Sequence, residues 1–176
     1  MAEFFQKSGR VCVDGSEVLR WRVSLPLCDE AIAAFYEEIG MRVVGYCEGE
    51  LSDLVTQEFD RSEDPDKRFA FSPFSYRLEG RVTYEDGQFL SILLAAELRR
   101  RGERAPLRQF EEGQVWERTE GVRLPPEEVV RLFCQTPLLR KERKNAKGIL
   151  LSENHVLWYD GKEWNKKEIF LKDRIE

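Results

Sequence analysis

The pattern that most limits the fold is a strict alternation of apolar and polar residues near the N-terminus. Four apolar residues alternate with three polar ones along Leu19, Arg20, Trp21, Arg22, Val23, Ser24 and Leu25. Successive side chains of a β-strand point to opposite faces, so this segment predicts a strand with one face on a core and one in water. Asp14-Gly15 precedes it and tolerates the positive φ angles of a tight turn after Arg10-Val11-Cys12-Val13. The sequence therefore predicts an N-terminal β-hairpin.

A long helix is predicted after this hairpin. Pro26 is expected to end the strand, and the Asp29 side chain is expected to cap the first amides of the helix. Apolar residues then recur at helical spacing, at Ile32, Phe35, Tyr36, Ile39, Val43, Cys47, Leu51, Leu54 and Val55. Glycines interrupt this stripe at Gly40, Gly45 and Gly49, and each disfavours a helix by about 1 kcal/mol relative to Ala. We expect a bend or a close packing neighbour at these glycines.

An antiparallel sheet meander with one short helix is predicted for the rest of the chain. Strand-like runs extend from Phe69 to Tyr84 and from Gln88 to Arg100, joined by the hairpin signal Glu85-Asp86-Gly87, and a third run extends from Leu107 to Glu117. Further strand candidates are Val156 to Tyr159 and Ile169 to Leu171. The prolines and glutamates of Pro125-Pro126-Glu127-Glu128 suit the start of a helix near 126–135. Its apolar face is predicted at Val129, Leu132 and Phe133. The predicted fold class is α+β.

A polar break at residues 62–67 is the best internal boundary in the chain. It separates a hairpin-plus-helix lobe, residues 1–64, from a sheet lobe, residues 65–176. The total of 176 residues is in the range of one compact domain, so we expect the two lobes to form one unit.

Composition excludes several classes of protein. The chain has 28 Lys and Arg against 33 Asp and Glu, a net charge of −5, so a polybasic protein is excluded and a nucleic-acid partner is not expected. The first residues turn polar too early for a signal peptide, and no apolar run is long enough to cross a bilayer. Four separated cysteines without a CxxC unit favour buried, reduced thiols. We therefore expect a cytoplasmic protein.

Reactive chemistry has little support in the sequence. His155 is the single histidine and has the surroundings of an ordinary residue at the start of a strand. Glycine motifs for nucleotide phosphates are missing, and so is a cluster of histidines, cysteines or acids with the spacing of metal ligands. Two carboxylate pairs, Glu48 with Glu50 and Glu111 with Glu112, leave open a carboxylate-based hydrolase that acts on a cell-wall or small-molecule substrate. We expect no enzyme activity, no cofactor and no metal ion.

Binding residues are sought among exposed aromatic and basic side chains. The aromatic candidates are Trp116, Trp158, Tyr159 and Trp164, for which core packing is the alternative. The basic candidates are Arg99, Arg100 and Arg101, accompanied by Arg104, Arg108 and the run Arg140 to Lys147. Glutamates interrupt both basic clusters. The alternative is therefore that the first cluster is a solvated hairpin tip and the second a solvated loop. Phe110 and Leu132 are predicted in the core.

The order of the segments resembles a known family. The matching segments are a strand ending in Leu25-Pro26-Leu27, a helix with Phe35-Tyr36, a strand from Tyr76 to Tyr84, the strand Phe89-Leu90-Ser91-Ile92, and Gly113 to Leu124 before a helix through Phe133. This order is similar to the RsiV/PdaC-like domain, which is found in the extracytoplasmic part of the lysozyme-sensing anti-sigma factor RsiV and in the peptidoglycan deacetylase PdaC. The resemblance covers nearly the whole chain.

The resemblance implies a two-lobed α+β fold and no specific activity. Family members commonly carry a Gly-Gly-Ala-His-like stretch where this chain has Ala95 to Arg100. The anti-sigma and deacetylase activities belong to parts of those proteins that have no match here, so they are not transferred. We expect a non-enzymatic bacterial binding domain for a protein or cell-wall-related ligand, using the exposed sheet face or a cleft between lobes. Binding of an anionic partner through the basic clusters is a further alternative.

Overall fold

The computed structural model describes residues 3–62, 71–133, 148–152, 155–159 and 164–168. The elements, in chain order, are β1 (Glu3–Val13), β2 (Ser16–Leu27), α1 (Glu30–Glu48), α2 (Glu50–Ser62), β3 (Phe74–Glu85), β4 (Phe89–Arg100), β5 (Arg108–Glu117), β6 (Val122–Arg123), α3 (Pro126–Phe133), β7 (Gly148–Ser152), β8 (His155–Tyr159) and β9 (Trp164–Glu168). β1 to β6 form a six-stranded sheet in chain order, and β7 to β9 form a three-stranded sheet. The predicted α+β class is confirmed.

The predicted N-terminal hairpin is present. Asp14 and Gly15 form its turn with φ angles of 48° and 81°, and β1 pairs antiparallel with β2. Leu19, Trp21, Val23 and Leu25 are buried, whereas Arg20 and Arg22 are exposed. The register of the pair skips Val18, which forms a bulge and is buried beside Leu19. Apolar alternation therefore sets which face of β2 lies in the core.

Pro26 lies inside β2, where it pairs in register with Phe4, so the prediction that it ends the strand is wrong. Pairing of β2 with β3 stops at Ser24. At Pro26, β2 therefore has a neighbour on one side only. A residue without an N–H is tolerated at such an edge position.

The predicted long helix consists of α1 and α2, with Gly49 between them. Helical hydrogen bonding continues across Gly49, because its N–H donates to the carbonyl of Gly45 at 2.9 Å. The buried side chains of α2 are Leu51, Val55 and Phe59. Gly40 packs against the ring of Phe5, which leaves no space for a β-carbon. The bend between α1 and α2 thus accounts for Gly49, and the contact with Phe5 accounts for Gly40.

The long connection through α1 and α2 determines the relative direction of β2 and β3. β3 runs parallel to β2, with Leu19 opposite Phe74 and Val23 opposite Leu78. Parallel neighbours need a long crossover connection, which the two helices supply. The remaining strands of the large sheet follow through short turns. The large sheet is therefore mostly antiparallel, with one parallel pair that the meander prediction did not contain.

The turn between β3 and β4 is set by one carboxylate. Asp86 Oδ1 accepts hydrogen bonds from the backbone N–H groups of Gln88 at 2.8 Å and Phe89 at 2.7 Å. Asp86 Oδ2 accepts a hydrogen bond from the Tyr84 hydroxyl at 2.7 Å. Side-chain oxygens of Asp commonly satisfy turn amides in this way. This turn confirms the hairpin signal of Glu85-Asp86-Gly87.

A hydrophobic cluster joins α3, the large sheet and the small sheet. Its buried members are Phe89, Val115, Val129, Val130, Phe133, Ile149, Leu151, Val156 and Trp158. β7 also docks on β4 through Ser91, whose buried Oγ accepts a hydrogen bond from the N–H of Leu151 at 2.9 Å. The sequence did not predict β7. The strand candidate Ile169 to Leu171 lies outside the described residues.

Three predicted core residues are exposed instead. The exposed fractions are 59% for Leu54, 53% for Phe110 and 44% for Leu132. In α3 the buried positions are Val129, Val130 and Phe133, so Val130 takes the place predicted for Leu132. One helical residue corresponds to about 100° of rotation, which places Leu132 at the margin of the buried face. Leu54 has the corresponding position in α2.

The described cysteines differ from one another in burial. Cys12 is exposed, Cys28 is half-buried and Cys47 is buried. Burial raises the pKa of the Cys47 thiol to about 12, so this thiol stays protonated and unreactive at neutral pH. The expectation of buried thiols is therefore wrong for Cys12, and Cys134 lies outside the described residues.

The chain divides into two compact units, and the boundary runs through β3 after Glu79, through β4 before Ala95 and through β5 after Phe110. The first unit holds β1, β2, α1 from Ala33, α2 and the adjoining parts of these three strands. The second unit holds the first residues of α1, the remaining parts of β3, β4 and β5, and β6, α3 and the small sheet. The predicted boundary between residues 64 and 65 lies outside the described residues. None of the described helices is long and apolar enough to span a membrane.

Candidate functional site

The second unit contains a cleft of about 410 Å³. Three strands of the small sheet and two of the large sheet supply its lining, which consists of Arg81, Thr83, Leu93, Leu150, Ser152, Leu157 and Trp164. This volume lies in the range of about 300 to 1,000 Å³ that small-molecule sites occupy. An apolar surface with a few polar groups is the usual character of such sites.

Strand geometry brings these side chains to one place. Arg81 and Thr83 are two residues apart on β3, and so are Leu150 and Ser152 on β7, so each pair shares a face. Leu150 lies opposite Leu157 in the register of β7 and β8. Trp164 begins β9 and pairs in register with Tyr159. The cleft therefore depends on the pairing of the small sheet.

The polar groups of the cleft differ in how they are bonded. The hydroxyl of Thr83 donates to Ser91 Oγ at 3.0 Å, and the hydroxyl of Ser152 donates to the carbonyl of His155 at 3.4 Å. Arg81 is exposed and forms no ion pair in the part of the chain that the structure describes. The cleft thus presents one positive charge, without an ion-pair partner among the described residues, beside an apolar wall.

Two of the four predicted aromatic residues belong to this region. Trp164 lines the cleft, and its indole N–H donates a hydrogen bond to Glu111 at 2.6 Å. Tyr159 contacts Trp164 with 5.4 Å between the ring centroids. Trp116 is buried in β5, and Trp158 is buried in the hydrophobic cluster. Strand alternation separates Trp158 from Tyr159, because neighbouring residues of β8 face opposite sides.

The three predicted arginines also have different surroundings, all in the first unit. Arg99 forms an ion pair with Glu97 at 2.9 Å, and Arg101 is exposed. Arg100 forms an ion pair with Glu58 of α2, and its guanidinium lies 4.9 Å from the centroid of the Phe74 ring. Arg100 Nε is buried and has no hydrogen-bond partner in the part of the chain that the structure describes. The run Arg140 to Lys147 lies outside the described residues.

The carboxylate pairs that the sequence left open for hydrolysis are bonded to other groups or exposed. Glu111 accepts the hydrogen bond from Trp164, and Glu112 forms an ion pair with Arg123. Glu48 and Glu50 are exposed at the junction of α1 and α2. Among the described residues, no three His, Cys, Asp or Glu side chains come close enough to hold a metal ion.

Sequence reasoning missed most of the cleft. Arg81, Thr83 and Leu93 lie in runs that were predicted only as strands, and Leu150 lies in a strand that was not predicted. A signal was available in the two-residue spacing of Arg81 and Thr83, which predicts a shared face. The residues that this face shares the cleft with include Leu150 and Ser152 of β7. They are far from β3 in the sequence, so a local pattern cannot predict that they come together.

A second groove of about 300 Å³ lies in the first unit, and it explains the exposure of Phe110. Phe110 lines it with Arg108, Tyr46 and Tyr76, and the two tyrosine rings lie 6.1 Å apart. Burial raises the pKa of Tyr76 to about 12, so its hydroxyl remains protonated at neutral pH. Phe110 thus contributes to a groove wall where a core position was predicted.

Comparisons with known proteins identify the fold. No family model and no curated protein matches the chain. The chain is similar to a member of the DUF3298 family from Bacteroides fragilis, with a TM-score of 0.61, 9% identity and coverage of 96% of this chain and 89% of that one. It is also similar to a DUF3298 family protein from Pseudomonas aeruginosa, with a TM-score of 0.52, 11% identity and the same coverage. The chain therefore has the fold of proteins of DUF3298, which is the RsiV/PdaC-like domain family.

Proposed function

We propose that the chain is a member of the RsiV/PdaC-like domain family and acts as a non-enzymatic binding domain whose ligand occupies the cleft of the second unit. Two independent arguments support membership: the order of sequence segments and the fold shared with two DUF3298 proteins. Neither argument identifies a ligand. The class of ligand is therefore inferred from the side chains that line the cleft.

The observation that carries the proposal is the guanidinium of Arg81 beside an apolar wall, where no described residue forms an ion pair with it. Leu93, Leu150 and Leu157 offer apolar surface, and Trp164 adds an aromatic ring. A guanidinium binds carboxylate, sulfonate or phosphate groups through two parallel hydrogen bonds. The matching ligand has an apolar body and one anionic group. Such a ligand is either a small molecule or a side chain and carboxylate of a partner protein.

The groups that line the cleft are suited to recognition rather than to reaction. They comprise one guanidinium, two hydroxyls and apolar side chains. A hydrolase of the kind left open above would need a carboxylate directed at the substrate. Glu111 and Glu112 are instead bonded to Trp164 and Arg123. No observation on these residues favours the hydrolase.

The dye anilinonaphthalene sulfonate tests the proposal, because it combines an aromatic body with one anionic group. We expect the folded protein to bind it saturably, with the dye fluorescence as the measurement. Arg81→Gln should weaken binding by about tenfold, since the charge-assisted hydrogen bonds are lost. Arg81→Lys keeps the charge and should restore part of the affinity.

Arg131→Gln is the matched control. Arg131 belongs to the same unit, is exposed on α3 and pairs with Glu128, and its replacement removes the same charge. We expect its affinity for the dye to equal that of the wild type. Absence of saturable binding, or an equal loss in Arg81→Gln and Arg131→Gln, would contradict the proposal.

A further inference from the structure

One face of the large sheet in the first unit is rich in arginine. In the register of the strands, Arg10 lies directly opposite Arg20, and Arg22 lies directly opposite Arg77. Residues opposite one another in a ladder project from the same face. All four side chains are exposed. Arg99 of β4 belongs to the same face by strand alternation: the side chains of Thr83 and Ser91 are hydrogen-bonded to each other, and Arg77 and Arg99 lie an even number of residues from them on β3 and β4. We name these five residues the arginine face.

This arrangement is unfavourable for the isolated chain. Like charges directly opposite one another across strands destabilise a sheet. The two arginine pairs occur in a protein whose net charge is −5, so they do not follow from its composition. Local features that conflict with folding stability commonly mark functional surfaces. A partner of opposite charge would relieve the repulsion.

Neighbouring glutamates neutralise only part of the arginine face. Arg20 pairs with Glu17, Arg77 with Glu79, and Arg99 with Glu97. Arg10 and Arg22 form no ion pair with any of the described residues. The hydrogen bond and charge of Arg20 lower the pKa of Glu17, and the charges of Arg10 and Arg101 lower it further. Among the described residues, positive charge without an ion-pair partner therefore remains on two neighbouring strands, at Arg10 of β1 and Arg22 of β2.

We propose that the arginine face binds an acidic segment of a partner protein. Arg20 and Arg22 are two residues apart on β2, a distance of about 7 Å. An extended peptide with Asp or Glu at every second position carries its carboxylates at the same interval. Guanidinium and carboxylate groups match in geometry, and three such pairs already form on this face. The proposal concerns the first unit and does not depend on the cleft of the second.

A nucleic acid fits this face less well. Sheets that bind single-stranded nucleic acids stack the bases on aromatic side chains. Among the paired rows of β1, β2 and β3 on this face, the positions between the arginines are Gln6, Ser8, Ser24, Ser75 and Glu79, and Phe4 is the single aromatic residue, at one end. The interleaved glutamates also repel a continuous chain of phosphates. Discrete carboxylates on a protein can avoid them.

Fluorescence anisotropy with a labelled peptide of alternating Glu and Ser tests the proposal on the full chain. We expect binding at low ionic strength that weakens as salt is added. Arg10→Glu and Arg22→Glu should each reduce the affinity by about tenfold or more, because attraction becomes repulsion. Arg10→Gln and Arg22→Gln should reduce it less, and they replace the reversals if a reversal fails to fold. A peptide with Gln in place of Glu should not bind.

Lys7→Glu is the matched control. Lys7 is exposed on the same strand as Arg10, but it pairs in register with the buried Val23 and so belongs to the opposite face. The charge change is the same, and we expect the affinity to stay within about twofold of the wild type. Equal loss in Lys7→Glu and Arg10→Glu, no binding of the Glu peptide, or tighter binding of single-stranded DNA or anionic lipid vesicles would each overturn the proposal.

Discussion

Ser91 is a small polar residue in an apolar strand, and it ties β4 to β7. It is fully buried, and its Oγ accepts hydrogen bonds from the Leu151 N–H at 2.9 Å and the Thr83 hydroxyl at 3.0 Å. Thr83 lines the cleft, and Leu151 lies between two residues that do. Ser91 therefore supports the cleft without lining it. The sequence of the strand Phe89-Leu90-Ser91-Ile92 shows that a serine interrupts an apolar run. It does not show that this serine accepts a hydrogen bond from the Leu151 N–H.

Replacement of Ser91 tests this role. Ser91→Ala leaves the Leu151 N–H buried without a partner, which we expect to lower the free energy of unfolding by about 1–3 kcal/mol. Urea denaturation of the two proteins is the measurement. Ser75→Ala, at an exposed position of β3, should change the stability by less than about 0.5 kcal/mol. Equal stability of Ser91→Ala and Ser75→Ala would refute the role of Ser91.

At the scale of the elements, strand alternation was the most reliable guide. The polar and apolar faces of β2 follow it residue by residue, and the hairpin signals at Asp14-Gly15 and Asp86-Gly87 both mark turns. Helix faces were predicted less well. In α2 and α3 the apolar stripe is wider than the buried face, so Leu54 and Leu132 remain exposed. A stripe indicates which side is buried, whereas its width depends on the partner element.

The parallel pairing of β2 with β3 is also what creates one of the arginine pairs. Arg22 and Arg77 lie opposite one another only because β3 enters the sheet beside β2. We expect Arg22→Gln to raise the melting temperature by on the order of 1–3 °C, because it removes a like-charge pair. Added salt should diminish the difference through screening. Lys7→Gln, on the opposite face of β1, should leave the melting temperature unchanged, and a lower value for Arg22→Gln would contradict the register argument.

At the scale of the whole molecule, the sequence predicted the fold class, the helices and the long strands of the large sheet, but neither β7 nor the cleft. Local patterns contain the hairpins, the helices and the strands of the large sheet. The cleft needs β7, whose Leu151 bonds to Ser91 sixty positions earlier in the chain. Neither hydrophobic periodicity nor turn residues can predict a contact between residues that far apart in the sequence. Trp164 was predicted as a binding residue from its type alone, and the same reasoning selected the buried Trp116 and Trp158.

Net charge was a similarly coarse guide. The chain carries −5 overall, and this value gave no reason to expect a basic surface. Strand register gathers arginines from β1, β2, β3 and β4 that are dispersed in the sequence. Arg99, Arg100 and Arg101 are consecutive in the chain, so the sequence alone shows them as a cluster. Arg10, Arg22 and Arg77 become neighbours only in the folded sheet.

The central claim is that the cleft of the second unit takes a ligand with an apolar body and an anionic group. NMR spectroscopy of the isotope-labelled protein during titration with anilinonaphthalene sulfonate tests it most directly. We predict that the resonances of Arg81, Leu93, Leu157 and the Trp164 indole shift with one common dissociation constant, while those of Arg22 and Arg77 stay in place. Shifts that spread over both units without saturation, or that leave the four cleft residues unmoved, would contradict it.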